Sequence, residues 1–150
     1  MAKARKTARE KLEKAQEPKI EDTPKGRMLI PKPLDVDALM RQIPKGKLAT
    51  ADQIRGRLAR AFDADYTCPL TTGIFLRIAA EAAEEDLMEG REPITPYWRV
   101  IRADGSLNDK FPGGVEAQAA RLREEGHGIQ PGVGKKPPRV KNFEASLVKL

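Results

Sequence analysis

The sequence predicts a mainly α-helical winged helix-turn-helix domain with a short β-hairpin wing, flanked by basic tails. Three observations lead there. Four stretches between residues 34 and 128 carry apolar side chains at helical spacing. The second and third are joined by a polar loop at 63–66, and the third opens on small and polar residues, as a helix-turn-helix does. Between the third and fourth, a strand-like run is followed by Asp104-Gly105, a strong hairpin-turn signal.

Residues 1–33 form a basic extension interrupted by Pro18 and Pro24. A short helix within Thr7–Gln16 has Leu12 as its single large apolar anchor, so the extension is expected to be partly disordered, with regular structure beginning at Met28-Leu29-Ile30. Asp35 suits the N-cap of a helix faced by Val36, Leu39, Met40 and Ile43, which Pro44 ends. Thr50 and Gln53 have capping-box spacing, and Ile54, Leu58 and Phe62 give the next buried stripe. A long helix is expected from Thr71 or Thr72, with Ile74, Phe75, Ile78, Ala79 and Ala82 facing inward and Gly90 beyond its end. Trp98–Arg102 reads as a strand of the wing. Val115, Ala119 and Leu122 mark the last helix, which Gly126 stops. Residues 129–150 form a Pro-, Gly- and Lys-rich basic extension that Phe143, Leu147 and Leu150 can anchor.

Bulk properties narrow the function classes. With 150 residues, 39% of them hydrophobic, the chain has room for one small domain and its tails. No stretch approaches the roughly 18–20 apolar residues of a membrane-spanning helix. No apolar run follows the basic N-terminus, so no secretory signal is expected and a cytoplasmic, monomeric protein is the default. Cys68 and His127 are the only residues of their types, which argues against a disulfide, a zinc site or any other metal or cofactor. Neither is expected to carry chemistry, although a transferase using Cys68 is a third reading. The net charge of +6 sits at the ends: +5 in residues 1–33, +4 in 131–150 and −3 in between. Basic tails suit salt-sensitive contact with phosphates, while the core is mildly acidic.

Three segments in order then carry a resemblance. They are Pro44-Lys45-Gly46-Lys47-Leu48-Ala49-Thr50, Pro96-Tyr97-Trp98-Arg99-Val100-Ile101, and a run from Ala103-Asp104-Gly105-Ser106-Leu107 through Phe111-Pro112-Gly113-Gly114-Val115-Glu116 to Leu122-Arg123-Glu124-Glu125-Gly126-His127. Together they resemble the C-terminal DNA-binding domain of O6-alkylguanine-DNA alkyltransferases over residues 34–128. That family flips an alkylated guanine out of the duplex and transfers the alkyl group to a cysteine, aided by a histidine that a buried glutamate orients. On this resemblance Tyr97 stands at the cysteine position, Trp98 at the histidine position and Glu125 at the glutamate position. Ala51 stands where the family has its nucleotide-pushing tyrosine. The family's asparagine before the motif is absent, and Thr72 lies near its stack-filling arginine.

The resemblance implies a non-catalytic, alkyltransferase-like branch that binds double-stranded, alkylated DNA and signals its repair. A protein-interaction module on a retired scaffold, with no DNA role, is the alternative. DNA contact is expected at Thr71, Thr72, Gly73 and Arg77, at the start of the third helix. Tyr97, Trp98, Arg99 and Glu125 are expected to form the pocket equivalent to the active site. There Tyr97 and Trp98 either stack on a base or close the pocket by ring packing, Arg99 makes a structural contact, and Glu125 bonds Arg99 or nearby backbone. Glu81, Glu84, Glu85, Asp86 and Glu89 are expected along an outer, solvent-facing side of that helix.

Overall fold

Two adjacent alanine pairs on one long helix set the spacing of the helices packed on it. That helix is α4 (Pro69–Met88), and Leu76, Ala79, Ala80, Ala82 and Ala83 are its buried apolar residues. Small side chains let neighbouring helices approach closely, and two do. The computed structural model, which describes residues 7–14 and 16–150, packs α1 (Ala8–Glu13) and α2 (Pro33–Arg41) against α4. Residues 1–6 and 15, part of the expected mobile extension, lie outside the described residues.

Between α1 and α2 runs an antiparallel hairpin, β1 (Lys19–Thr23) and β2 (Gly26–Ile30), and β2 pairs in parallel with β4 (Tyr66–Thr67). Strand β3 (Ala49–Thr50) leads directly into α3 (Ala51–Ala61), whose end is joined through β4 to α4. After α4 come a 3-10 turn at Tyr97–Arg99, β5 (Val100–Ile101), α5 (Gly114–Glu124), and the antiparallel pair β6 (Ile129–Gln130) and β7 (Arg139–Val140). The fold is thus mostly helical with small sheets. No helix among the described residues is long and apolar enough to cross a membrane.

Several local signals form as the sequence implies. Thr50 accepts from the Gln53 backbone N–H at 3.1 Å, and the Gln53 side chain accepts from the Thr50 N–H at 2.9 Å. Val36, Leu39, Met40 and Ile43 are buried, and Phe143 anchors the C-terminal tail. The tail then lies beside β3: the Leu48 N–H donates to Ser146 O and the Val148 N–H to Leu48 O, both at 2.9 Å.

Others differ. Helix α2 starts at Pro33, whose fixed φ and missing N–H suit the first helical position, so Asp35 sits in the first turn and does not cap. Pro69 opens α4 two residues before Thr71 for the same reason. Along α4 the buried stripe is rotated from the expected one: Leu76 is 3% exposed whereas Ile74 is 41% exposed. The regular structure of the N-terminal segment begins at Ala8, well before Met28, because Leu12 and Leu29 are fully buried.

The two-stranded wing does not form. Strand β5 pairs in parallel with β3, Ala49 opposite Val100 and Thr50 opposite Ile101. The Asp104-Gly105 turn closes, with the Arg102 N–H donating to Ser106 O at 2.9 Å, but beyond it Ser106 bridges to Arg139 of the tail. Phe143 packs where a side chain on Gly105 would sit, 2.3 Å from the Cβ position, so this turn (φ +86°) requires glycine on both counts.

Of the five acids expected along an outer side of α4, Glu81 and Glu89 have exposed side chains, whereas Glu84, Glu85 and Asp86 turn to neighbouring elements. Glu84 accepts from the Tyr97 hydroxyl at 2.5 Å and from Arg121 at 2.8 Å. Glu85 caps α1, accepting from the Ala8 and Arg9 N–H groups at 2.8 and 2.9 Å. Asp86, 5% exposed, pairs with Arg9 and Arg91. Helix α1 is therefore held by a buried leucine and a carboxylate cap. Leu12→Ala is expected to cost about 2–4 kcal/mol in equilibrium urea unfolding. An unchanged midpoint would mean that α1 contributes nothing to the folded state.

Candidate functional site

The Pro96–Val100 motif is organised by one carboxylate from the end of α5. Glu125 accepts from the Trp98 indole N–H at 2.9 Å and from the Gly46 backbone N–H at 3.1 Å. It also accepts from Arg99, through Nε at 2.9 Å and Nη2 at 2.8 Å. The remaining Arg99 reach goes to Ile43 O at 2.7 Å. Side-chain exposure is 13% for Arg99 and 7% for Glu125, so this ion pair is sheltered from water. Burial pushes the Glu125 pKa up, but the hydrogen bonds from Arg99, Trp98 and Gly46 outweigh it and hold the carboxyl below its usual value. The structural contact expected of Arg99 is present, both as a salt bridge and as a carbonyl contact.

The adjacent aromatic pair is asymmetric. Tyr97 is 2% exposed, edge-on to Phe111 at 5.3 Å and to Trp98 at 5.4 Å between ring centroids. Burial, then the hydrogen bond to Glu84, pushes its phenol well above the ordinary tyrosine value. A phenolate nucleophile is therefore less accessible here than in free tyrosine. Trp98 is half-buried, with Arg121 stacked 4.3 Å from its ring centroid. It lines an open cavity of about 670 Å³ with Arg41, Glu92, Pro93, Ile94, Pro96 and Arg99. Ring packing thus closes the space at Tyr97 and leaves an opening beside Trp98.

A second concavity, about 380 Å³, lies at the N-terminal half of α4. Gly73 and Arg77 line it, together with Ala51, Leu70 and Ile74, and Arg102 and Lys110 reach it from the chain after β5. Thr71 is half-buried and its hydroxyl donates to the Cys68 sulfur at 3.3 Å. Thr72 is withdrawn from the expected contact set: it is 1% exposed and its hydroxyl donates to Cys68 O at 2.8 Å. Sequence reasoning missed Arg102 and Lys110. They are remote from α4 in the chain, and only the turn after β5 brings them to it. Cys68 is not part of this lining. His127 is half-buried with Nε2 lacking a hydrogen-bond partner; burial lowers its pKa while the Glu125 charge opposes that shift.

The sequence matches no family model and no curated protein. Solved structures that match in fold include two of DNA complexes. One is S. pombe Atl1 in complex with damaged DNA containing O6-carboxymethylguanine, with a TM-score of 0.53 and 22% identity over 79% of this chain and 94% of that one. The other is S. pombe ATL in complex with DNA, with a TM-score of 0.55 at the same identity and coverage. The chain shares the Atl1 fold. The Atl1 likeness agrees with the segments that resemble an alkyltransferase domain, and it spans almost the whole of the Atl1 chain.

The buried ion pair sets a pH dependence. Because the folded state lowers the Glu125 pKa, its contribution is present above the unfolded carboxylate range of about 4.3 and is lost as pH falls through the folded value. Glu125→Gln is expected to cost about 3 kcal/mol at pH 7, leaving the Arg99 charge buried and unpaired, and to flatten the acid limb of the stability profile. Urea titrations of both proteins from pH 7 to pH 3 check this; parallel profiles would refute it.

Proposed function

We propose that this chain recognises alkylated double-stranded DNA without repairing it. The observation that carries this reading is a fold shared with Atl1, which is bound to damaged DNA in its own structure, combined with a cation-rimmed concavity at the N-terminal half of α4. We read α3 and α4 as the helix-turn-helix, with α4 entering a groove of the duplex and the 102–110 loop lying beside it. Thr71, Gly73 and Arg77 then face DNA, joined by Arg102 and Lys110, and residues 34–128 are the DNA-binding domain.

Chemistry is a poor fit at the motif. The phenol at the cysteine position is buried and donates to Glu84. At the histidine position the Trp98 indole keeps the hydrogen bond to Glu125, yet an indole N–H has no basic nitrogen with which to relay a proton. Cys68 accepts a hydrogen bond from Thr71 and is not among the residues that line the groove. The Trp98 cavity offers an aromatic face and guanidinium groups to a displaced base.

The mild acidity of the core, which favours a protein-interaction module, loses force because Glu84, Glu85, Asp86 and Glu125 are paired internally. The basic tails add salt-sensitive, sequence-independent affinity. A monomer that then attracts a repair protein completes the reading.

Fluorescence anisotropy with a short duplex, plain or carrying one O6-methylguanine, tests it. Tighter binding to the modified duplex is expected, and no binding of either at low salt would overturn the proposal. Replacing Arg77, Arg102 and Lys110 together with alanine is expected to weaken both duplexes alike. It should lower the slope of log affinity against log salt by about 2–3, one increment for each lost phosphate contact.

A further inference from the structure

The C-terminal segment is basic in sequence, yet its first part is an ordered hairpin and not a loose tail. Strands β6 and β7 pair Ile129 with Val140 and Gln130 with Arg139. Beyond them Val133 bridges to Lys136 across Gly134-Lys135, and the Lys136 N–H donates to Val133 O at 3.0 Å. Gly134 takes the left-handed conformation (φ +60°) that a two-residue hairpin turn favours. A Cβ on Gly132 would stand 2.4 Å from Lys136 O, so glycine is what lets the two sides close. Pro131, Pro137 and Pro138 fix φ on either side of the turn.

This hairpin is built onto the loop that reaches α4. The Leu107 N–H donates to Pro138 O and the Val140 N–H to Gly105 O, both at 3.0 Å, so 105–107 and 138–140 run antiparallel. Arg139 Nε adds a bond to Asp104 O at 2.9 Å. In that register the chain leaving Leu107 heads the same way as the chain traced from Pro138 back to Lys136. Asn108 and Lys110 lie on that outgoing chain and line the concavity at the start of α4. The hairpin tip therefore projects along the flank of the cation-rimmed face. At a strand rise of about 3.3 Å per residue it reaches roughly 10 Å beyond Arg139.

The arm carries one sign of charge. Residues 126–143 hold Lys135, Lys136, Arg139 and Lys141 and no Asp or Glu. All four cations are exposed, and none is in an ion pair among the described residues. Cations held at fixed positions with no carboxylate among them complement a regular row of phosphates. We propose that the β6–β7 hairpin is a phosphate-binding arm, with Lys135 and Lys136 seated on the duplex backbone beside the groove that α4 occupies. This inference rests on the DNA reading above and adds a second, separate contact that sets how much duplex the protein covers. Phosphate contacts of this kind fix register and orientation without reading sequence. An arm of roughly 10 Å spans about three base pairs at a rise of about 3.4 Å each.

Hydroxyl-radical footprinting tests it, with the full chain bound to a duplex that carries one O6-methylguanine at its centre. The native protein should leave a main protected tract and a separate patch about three base pairs beyond it on one side. Lys135→Ala/Lys136→Ala should erase that patch and leave the main tract intact. It should also weaken binding about three- to tenfold and lower the slope of log affinity against log salt by about 2. Both side chains are exposed, so the urea midpoint should not move. A native-like footprint and salt slope in the double variant would overturn the arm while leaving DNA binding intact. So would a native footprint that lacks the separate patch, or a weakened variant that keeps it. Absence of any binding by the native protein would overturn the DNA reading as well.

Discussion

Glu125 closes a circuit that loops alone could not hold. Its carboxylate joins the end of α5 to Gly46 ahead of β3 and to Trp98 and Arg99 ahead of β5, while Arg99 carries the connection on to Ile43 beyond α2. Strands β3 and β5 are two residues long each, and their parallel pairing offers few hydrogen bonds of its own. The sheltered ion pair fixes the direction in which the chain enters that pairing. With β3 placed, the capping box launches α3; with β5 placed, Arg102 and Lys110 come to the start of α4.

Helix α4 divides the molecule's electrostatics. Its second half spends its carboxylates on the α1 cap, Arg9, Arg91, Arg121 and the Tyr97 hydroxyl. Its first half buries Thr72 and leaves Leu70, Gly73, Ile74 and Arg77 on an open face. A helix that is acidic in sequence therefore presents a cationic and apolar end, because the acids are consumed where neighbouring elements pack. The motif pocket follows the same economy: Glu125 holds the Trp98 ring and Arg99 in place, and Glu84 holds Tyr97.

What could be read in the sequence was local. Thr50 and Gln53 are three residues apart, so their reciprocal capping was visible, as were the buried faces of α2 and α5. The Arg99–Glu125 contact was legible only through motif resemblance, since nothing in 26 residues of separation announces it. The phase of α4 was misjudged because large side chains outweighed alanine in the periodicity, whereas the tight contacts with α1 and α2 select the alanine face. The partner of β5 lies on the far side of α3 and α4 in the chain, and a parallel pairing of that range leaves no turn signature. The charged β1–β2 hairpin hid for a related reason: both its strands are largely solvated, so alternation is faint.

Recognition without chemistry is the role proposed for this protein. Native mass spectrometry of the full chain mixed with equal amounts of plain and O6-methylguanine duplex tests it most directly, because it reports the complex and the covalent masses together. The expected result is a complex enriched in the modified duplex which, on denaturation, releases protein and both DNA strands at unchanged mass. A methyl group gained by the protein and lost from the modified strand, or no preference between the duplexes, would contradict it.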